Sequence, residues 1–236
     1  MRRVTDVDEL LDGPLDDQAA LVQNLHDLAL VNRRLGGVRV SKQAVDALAP
    51  GPTALELLDV GTGGADIPLA LISRARAVAR ALRVTAVDRR PEVLIAAALA
   101  DPRVTATGEL ALHVADGLAL PFDDRSFDVV HASLLIHHLD RDSAISLLAE
   151  MARVARLGIV VNDLVRGRLA YLGAWLLTRT LTRGRYTRHD APLSVRRAYS
   201  VDELIELIGA AGLAVSHRFD APFGHRVALA ARRAGD

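Results

Sequence analysis

Residues 57–71, "LLDVGTGGADIPLAL", form an apolar run that ends in an acid, passes through glycines and restarts with helical spacing. A strand, a tight loop and a helix in that order present backbone N–H groups where a nucleotide-like ligand can approach. The loop's chemistry narrows the ligand. A P-loop requires Gly-Lys-Ser/Thr, and the only lysine is Lys42, so ATP by that route is excluded. The dinucleotide fingerprint G-x-G-x-x-G begins with Gly61 and Gly63 but has Asp66 at its third position. An acid there opposes a pyrophosphate at the helix N-terminus, so the loop suits a ligand that reaches the backbone without a phosphate. A plain strand-to-helix turn is the alternative reading of these glycines.

Outward from this loop the pattern alternates. Strands are expected at 55–60, 83–88, 110–115, 127–133 and 158–163, with helices at 65–80, from Pro91 to about Leu99, and at 141–156. Short apolar strands separated by helices predict a parallel sheet covered on both faces. Before it, residues 15–49 carry helical spacing (Leu21, Leu25, Leu28, Val31), interrupted at Gly36-Gly37. After it, 164–193 reads as an arginine-studded helical insertion, and "SVDELIELIGAAG" as a capped helix from Ser200 to Gly212. The runs 213–219 and 223–231, joined by "DAPFG", predict a closing antiparallel hairpin. The expected organisation is a helical cap over 1–50 and an α/β domain over 51–236, with 164–193 as a substrate lid.

Composition sets bounds. The chain has 236 residues, half of them apolar, and its 29 basic and 29 acidic residues cancel. A neutral chain without a basic block offers no electrostatic reason for a nucleic-acid partner. With no cysteine, disulfides, thiolate nucleophiles and Cys-ligated metals are excluded. The N-terminal "MRRVTDVDELLDG" lacks the apolar stretch of a signal peptide, and the longest apolar run, Leu169–Leu177, is nine residues where a bilayer needs roughly 20. The expectation is a cytoplasmic protein without a membrane span; the apolar N-terminal helices offer a homodimer interface.

Two further acids accompany the loop. Asp88 ends the second strand in "VTAVDRR", placed to accept both hydroxyls of a ribose. Asp116 follows the third in "HVADGLALPF", placed to accept from the exocyclic amine of adenine. Together "LLDVGTGGADIPLAL", "AVDRRPEVL", "HVADGLALPFDDRSFDVVHASLLIHHL" and "LGIVVNDL" resemble the ordered motifs of class I S-adenosylmethionine-dependent methyltransferases, over about residues 53–163. Ala65 departs from that pattern, standing where the family often has a third glycine. The resemblance implies a Rossmann-like, seven-stranded, mostly parallel α/β sheet of order 3-2-1-4-5-7-6 with the last strand antiparallel. It implies S-adenosylmethionine as cofactor, held by Asp59, Gly61, Thr62, Gly63, Asp88, Arg89, Asp116, Gly117 and Ser133.

Methyl transfer from a sulfonium needs in-line placement and, for a hydroxyl acceptor, loss of a proton. The tip of strand four, "HASLLIHHL", supplies His131, Ser133, His137 and His138. His138, with His137 in reserve, is the candidate general base, against a capping or packing role. Asp163 at the tip of strand five either accepts a substrate proton or caps the following segment. No metal is expected, because strand four offers no carboxylate beside "ND".

The segment 164–181, with Leu169, Leu172, Trp175 and Leu176 beside arginines 166, 168, 179 and 183, reads either as an amphipathic helix packed on the sheet or as a lid. Trp175, His189 and Arg197 are the candidate acceptor contacts. Arg33 or its neighbour Arg34 either pairs with the cofactor carboxylate or is solvated. The acceptor is expected to be a small aromatic or apolar molecule. The insertion resembles those of bacterial enzymes that O-methylate polyketide-derived phenols in secondary metabolism. "ALPFDDRSFDVV" also resembles quinone C-methyltransferases. A binding module that keeps the cofactor without catalysis is the reading from another class.

Overall fold

The computed structural model describes residues 1–235 except 6, 8, 14, 16 and 183; the side chains at 177, 181 and 185 are likewise outside the description. Arg183 of the insertion therefore lies outside the described residues. Two helices, α1 (Gln18–Arg34) and α2 (Gly37–Leu48), precede β1 (Leu55–Val60), α3 (Asp66–Ala77), β2 (Leu82–Asp88), α4 (Pro91–Ala100), the short α5 (Arg103–Ala106) and β3 (Leu110–Val114). Then come β4 (Phe127–Ser133), a 3-10 turn (Ile136–His138), α6 (Arg141–Val154) and β5 (Ala155–Leu164). The chain closes with α7 (Arg168–Leu181), α8 (Arg185–Arg197), α9 (Val201–Ala210), β6 (Leu213–Asp220) and β7 (Arg226–Arg233).

The seven strands order as β3-β2-β1-β4-β5-β7-β6. All neighbours up to β5 are parallel, while β7 runs antiparallel to both β5 and β6. Both faces are buried, as a sheet wound by crossover helices demands. On one face Leu55, Leu57, Val84, Val129 and Val160 meet α1, α2, α3 and α4. On the other Leu58, Val60, Val87, Val130 and Ile159 meet α6 and α9.

The expected strands and helices are present, with several differences, among them a closing strand that starts at Arg226 and the added short α5. The helix expected at 65–80 is shorter, because Ala65 and Ala79 take left-handed φ of 54° and 52° at its two ends. β5 follows α6 without a loop and starts at Ala155, three residues earlier than expected from the apolar run at 158. The stretch after α7 is itself a helix, α8, which carries Pro192 in its interior. α7 packs against α8 and leaves Leu169 82%, Leu172 57% and Leu176 53% exposed.

This topology gathers the chemistry at one edge. The carboxyl ends of β1, β2, β4 and β5 converge there, and the antiparallel β7 brings its first residue, Arg226, to the same edge opposite Leu164. No helix among the described residues is long and apolar enough to cross a membrane.

Candidate active site

The glycine loop makes a cradle above β1. Gly61 and Gly63 both adopt positive φ, 67° and 54°. A Cβ on Gly61 would meet the Leu135 side chain at 2.9 Å, whereas one on Gly63 would meet nothing within 4 Å. Thr62 between them is buried, and its Oγ1 has no hydrogen-bond partner. Across the loop, the Asp88 carboxylate accepts from Gly63 N at 3.2 Å and from Arg90 N at 3.1 Å. Burial pushes the Asp88 carboxyl above its ordinary range against the pull of these two N–H groups. Asp116 is exposed and accepts from Leu118 N through Oδ1. Arg89 is exposed beside Asp88, and Gly117 makes room for Leu147 and Val60, which a Cβ would meet at 2.8 and 2.9 Å.

A buried polar chain lies under the cradle. Asp59 accepts from His131 Nδ1 at 2.5 Å, and His131 Nε2 stands 2.8 Å from Ser41 Oγ. Ser41 Oγ accepts from Asn162 Nδ2 at 2.6 Å, so its own proton is free for His131 Nε2. Asn162 Oδ1 accepts from Arg226 Nε at 2.6 Å. The remaining arms of Arg226 reach Asn32 Oδ1 and Ser133 Oγ, both at 2.5 Å, and Asn32 Nδ2 donates on to Asp66. Gly37 permits this approach: a Cβ there would stand 2.5 Å from Arg226 Nη1. Burial draws the Arg226 guanidinium down to about 10, against the attraction of Asp163 and Asp66. Burial likewise raises the Asp66 carboxyl. Each side chain in the chain has a hydrogen-bond partner, which is what a polar network away from water requires.

The two histidines of the 3-10 turn form a second centre. His137 Nδ1 lies 2.6 Å from Asp163 Oδ1, and His137 N donates to Asp163 Oδ2 at 3.1 Å. Burial pushes the Asp163 carboxyl up, but the charge and hydrogen bond of His137 outweigh it and hold the group below its ordinary value. His138 Nδ1 lies 3.0 Å from Asp12 Oδ1, and Arg197 Nη1 holds the other oxygen of Asp12 at 2.6 Å. The ring centroids of the two histidines are 4.2 Å apart. Above them passes the N-terminal segment 9–12, clamped because Asp190 accepts from Leu10 N and Leu11 N. Glu9, 4% exposed, faces both rings; its oxygens are 3.8 Å from His137 Nε2 and 3.9 Å from His138 Nε2. Burial pushes the Glu9 carboxyl up to about 7.

The structure thus brings His137, His138 and Asp163 together, and places Asp59, Gly61, Thr62, Gly63, Asp88 and Ser133 along the adjacent strand tips. Arg197 is buried against the same centre and also donates to His138 O at 3.0 Å. Among the described residues, no hydrogen bond or ion pair joins the other expected contacts to His137, His138 or Asp163. Arg33 is exposed at the end of α1, Trp175 stacks under Arg179 at 4.3 Å, and the half-exposed His189 leans on Asp190 at 2.8 Å. Glu9, Asp12, Ser41, Asn32 and Arg226 escape a motif-based reading. They come from α1, α2, the last strand and the N-terminal segment, and only tertiary structure brings them to the edge. Asp66, visible in the sequence as a misfit to the dinucleotide fingerprint, belongs to this network. Of the surface cavities, one of about 220 Å³ lies between Ile72, Arg76, Arg80 and Glu109, away from the strand tips, and gathers no comparable chemistry.

A family model described as a methyltransferase domain matches residues 58–161. The chain is 32% identical over 191 residues to a demethylmenaquinone methyltransferase of Roseiflexus castenholzii, covering 75% of this chain and 76% of that one. It is 35% identical over 152 residues to a ubiquinone/menaquinone C-methyltransferase of Dinoroseobacter shibae, covering 61% and 58% of the two chains. Among solved structures, a SAM-dependent methyltransferase from Aquifex aeolicus shares the fold at 16% identity and TM-score 0.63, over 89% of this chain and 97% of that one. An O-methyltransferase family 2 protein from Planctomyces limnophilus does so at 20% identity and TM-score 0.66, over 93% and 62%. The cradle suits S-adenosylmethionine, the cofactor that the name of the Aquifex structure gives. It offers carboxylates to hydroxyl and amine donors, an orphaned threonine hydroxyl, glycine backbone open to close approach, and no lysine for a phosphate. By sequence and sheet order alike, the chain belongs to the S-adenosylmethionine-dependent methyltransferases.

Proposed function

We propose that the protein transfers a methyl group to the hydroxyl of a small aromatic or polyketide-like molecule. When bound, S-adenosylmethionine supplies an activated methyl on a sulfonium. The chain's part is to hold the donor, place the acceptor and remove its proton. Asp88 accepts the ribose hydroxyls, Asp116 the adenine amine, and the 61–63 loop receives the methionine end. The observation that carries the hydroxyl reading is the pair of carboxylate-anchored imidazoles at the tip of β4. Asp12 and Asp163 each take an Nδ1 proton, which leaves the basic Nε2 atoms of His138 and His137 facing the same space. His138, the more open of the two at 24% exposure against 3%, accepts the hydroxyl proton, and Asp12 stabilises the imidazolium that forms.

The exposed apolar residues of α7, with Trp175 among them, support a lid over an apolar acceptor rather than a helix spent on the core. Deprotonating a hydroxyarene also activates its ring carbon, and the names of the Roseiflexus and Dinoroseobacter relatives favour that second reading, carbon methylation of a quinone precursor. Incubation with methyl-labelled S-adenosylmethionine and panels of phenols, quinols and amines tests both. A labelled methyl ether supports the first reading, a labelled ring methyl the second. A product only from amines overturns them.

A further inference from the structure

The centre formed by Glu9, His137 and His138 has a geometry that proton transfer alone does not require. One carboxylate oxygen and the two imidazole nitrogens lie within 4.8 Å of one another, contributed by the N-terminal segment and the 3-10 turn. Both Nδ1 atoms are spoken for, by Asp163 at 2.6 Å and Asp12 at 3.0 Å. With the proton on Nδ1, each neutral ring turns its Nε2 lone pair toward Glu9. A carboxylate and two lone pairs then face each other in a buried space, separated by 3.8 and 3.9 Å, too far for hydrogen bonds. Glu9 Oε1 has no hydrogen-bond partner at all although the residue is 4% exposed. A buried carboxylate oxygen left unpartnered beside two imidazole nitrogens is costly, and a cation standing between them removes that cost.

We infer that Glu9, His137 and His138 form a binding site for one divalent transition-metal ion such as zinc. Ligand atoms around a tetrahedral zinc stand roughly 3.4 Å apart, and the two carboxylate–imidazole gaps, which run to different oxygens of Glu9, are a few tenths of an ångström wider. Two imidazoles with one carboxylate select zinc, cobalt or nickel over magnesium, which prefers an all-oxygen shell. The surroundings match a built site. Each histidine donates its other ring proton to a carboxylate, the arrangement that fixes the tautomer and raises the basicity of metal-bound imidazoles. Asp190 fixes the backbone beside Glu9, and Arg197 with Arg3 ties the segment and the 3-10 turn together. His138, partly exposed, leaves an entry path. The expectation of no metal drawn from strand four overlooked this set, because its carboxylate comes from the N-terminal segment some 130 residues earlier in the chain.

The inference has a consequence for the proposed reaction. An Nε2 lone pair cannot both ligate a cation and accept a proton, so metal loading silences the base and pins the N-terminal segment shut. The site is then an inhibitory one. The full-length protein, stripped with chelator, is titrated with Co²⁺, followed by its visible absorption, and with Zn²⁺ by calorimetry. The expected result is saturable binding of one ion per chain, weakened at least about 100-fold in Glu9→Gln and in His138→Ala. Asp163→Asn, acting through His137, is expected to weaken it about 10–100-fold. Circular dichroism and S-adenosylmethionine affinity of each variant establish that it is folded. No saturable binding in the wild type, or binding unchanged in folded Glu9→Gln and His138→Ala, overturns the site. Turnover is the separate readout, because the inhibitory role rests on the reading of the histidines as proton acceptors: one bound ion with undiminished turnover keeps the site and refutes the base.

Discussion

Arg226 and Asp59 stand at the two ends of one hydrogen-bond chain that runs in a single direction. Protons point from Arg226 to Asn162, from Asn162 to Ser41, from Ser41 to His131 and from His131 to Asp59, across β7, β5, α2, β4 and β1. A buried cation is thereby linked to a carboxylate under the glycine loop, and a branch through Asn32 reaches Asp66 at the start of α3. The chain locks the N-terminal helices to the strand tips from which the cofactor loop springs.

Removing the cation should therefore strand two carboxylates and several amide groups. Arg226→Met is expected to lower unfolding stability by about 3–5 kcal/mol, the range for breaking a buried charge network. Arg226→Lys should not rescue it, because a single ammonium cannot reach Asn162, Asn32 and Ser133 at once. Urea unfolding of the three proteins is the check; equal midpoints for wild type and Arg226→Met would remove the network from the stability account.

That network also marks the boundary of what the sequence discloses. The alternation of strands and helices and the closing hairpin were legible because short apolar runs, a glycine loop with a terminal acid, and "DAPFG" each act locally, while the order of the strands came from the family resemblance. The acids at 59, 88 and 116 were legible because strand ends are. Arg226 was not, since nothing in "GHRVALAA" tells that an antiparallel strand carries its first side chain under a loop more than 160 residues earlier. Glu9 and Asp12 were hidden in the same way. Their segment has no periodicity, and it is placed by Asp190 and Arg197, both distant in the chain.

Cofactor affinity should depend on Asp88. Asp88→Ala removes the charged acceptor of two ribose hydroxyls, at about 1.5–3 kcal/mol for each hydrogen bond at most. Calorimetric titration with S-adenosylmethionine measures it, and unchanged affinity would take the ribose away from this residue.

The same carboxyl gives a pH dependence with a definite sign. Burial raises Asp88 above the ordinary value of 3.8, so the protonated form is favoured earlier on acidification than for a solvated aspartate. The ionised form is the one that accepts both hydroxyls. Affinity should then be level at neutral pH and fall by about tenfold per unit once pH drops below the raised value. The decline begins above the range of a free carboxylate. Asp88→Asn should bind weakly and without this slope. Identical pH profiles for the two proteins would show that another group controls binding.

Turnover should not require a metal, because the tip of β4, His131 to Ser133, presents no carboxylate to assemble an oxygen-rich site around the acceptor. Treatment with EDTA is expected to leave the rate unchanged or raise it. A rate abolished by chelation and restored by Mg²⁺ would refute this.

The two histidines should separate kinetically. His138 is the more exposed ring, at 24% against 3% for His137. His137 is enclosed between Asp163 and Glu9, and its backbone N–H is also tied to Asp163, so it contributes more to holding the 3-10 turn than to receiving a proton. His138→Ala should lower kcat by about 10²–10⁴-fold with cofactor affinity intact, the usual span for loss of a general base. His137→Ala should cost less in rate but destabilise the fold, leaving the buried Asp163 without its ring partner at about 1–3 kcal/mol or more. A phenol carrying electron-withdrawing substituents ionises without help, so the His138→Ala defect should shrink as acceptor acidity rises. That trend is specific to proton removal: a ring that merely positions the acceptor would give the same loss for every phenol, and a flat series would place the base elsewhere.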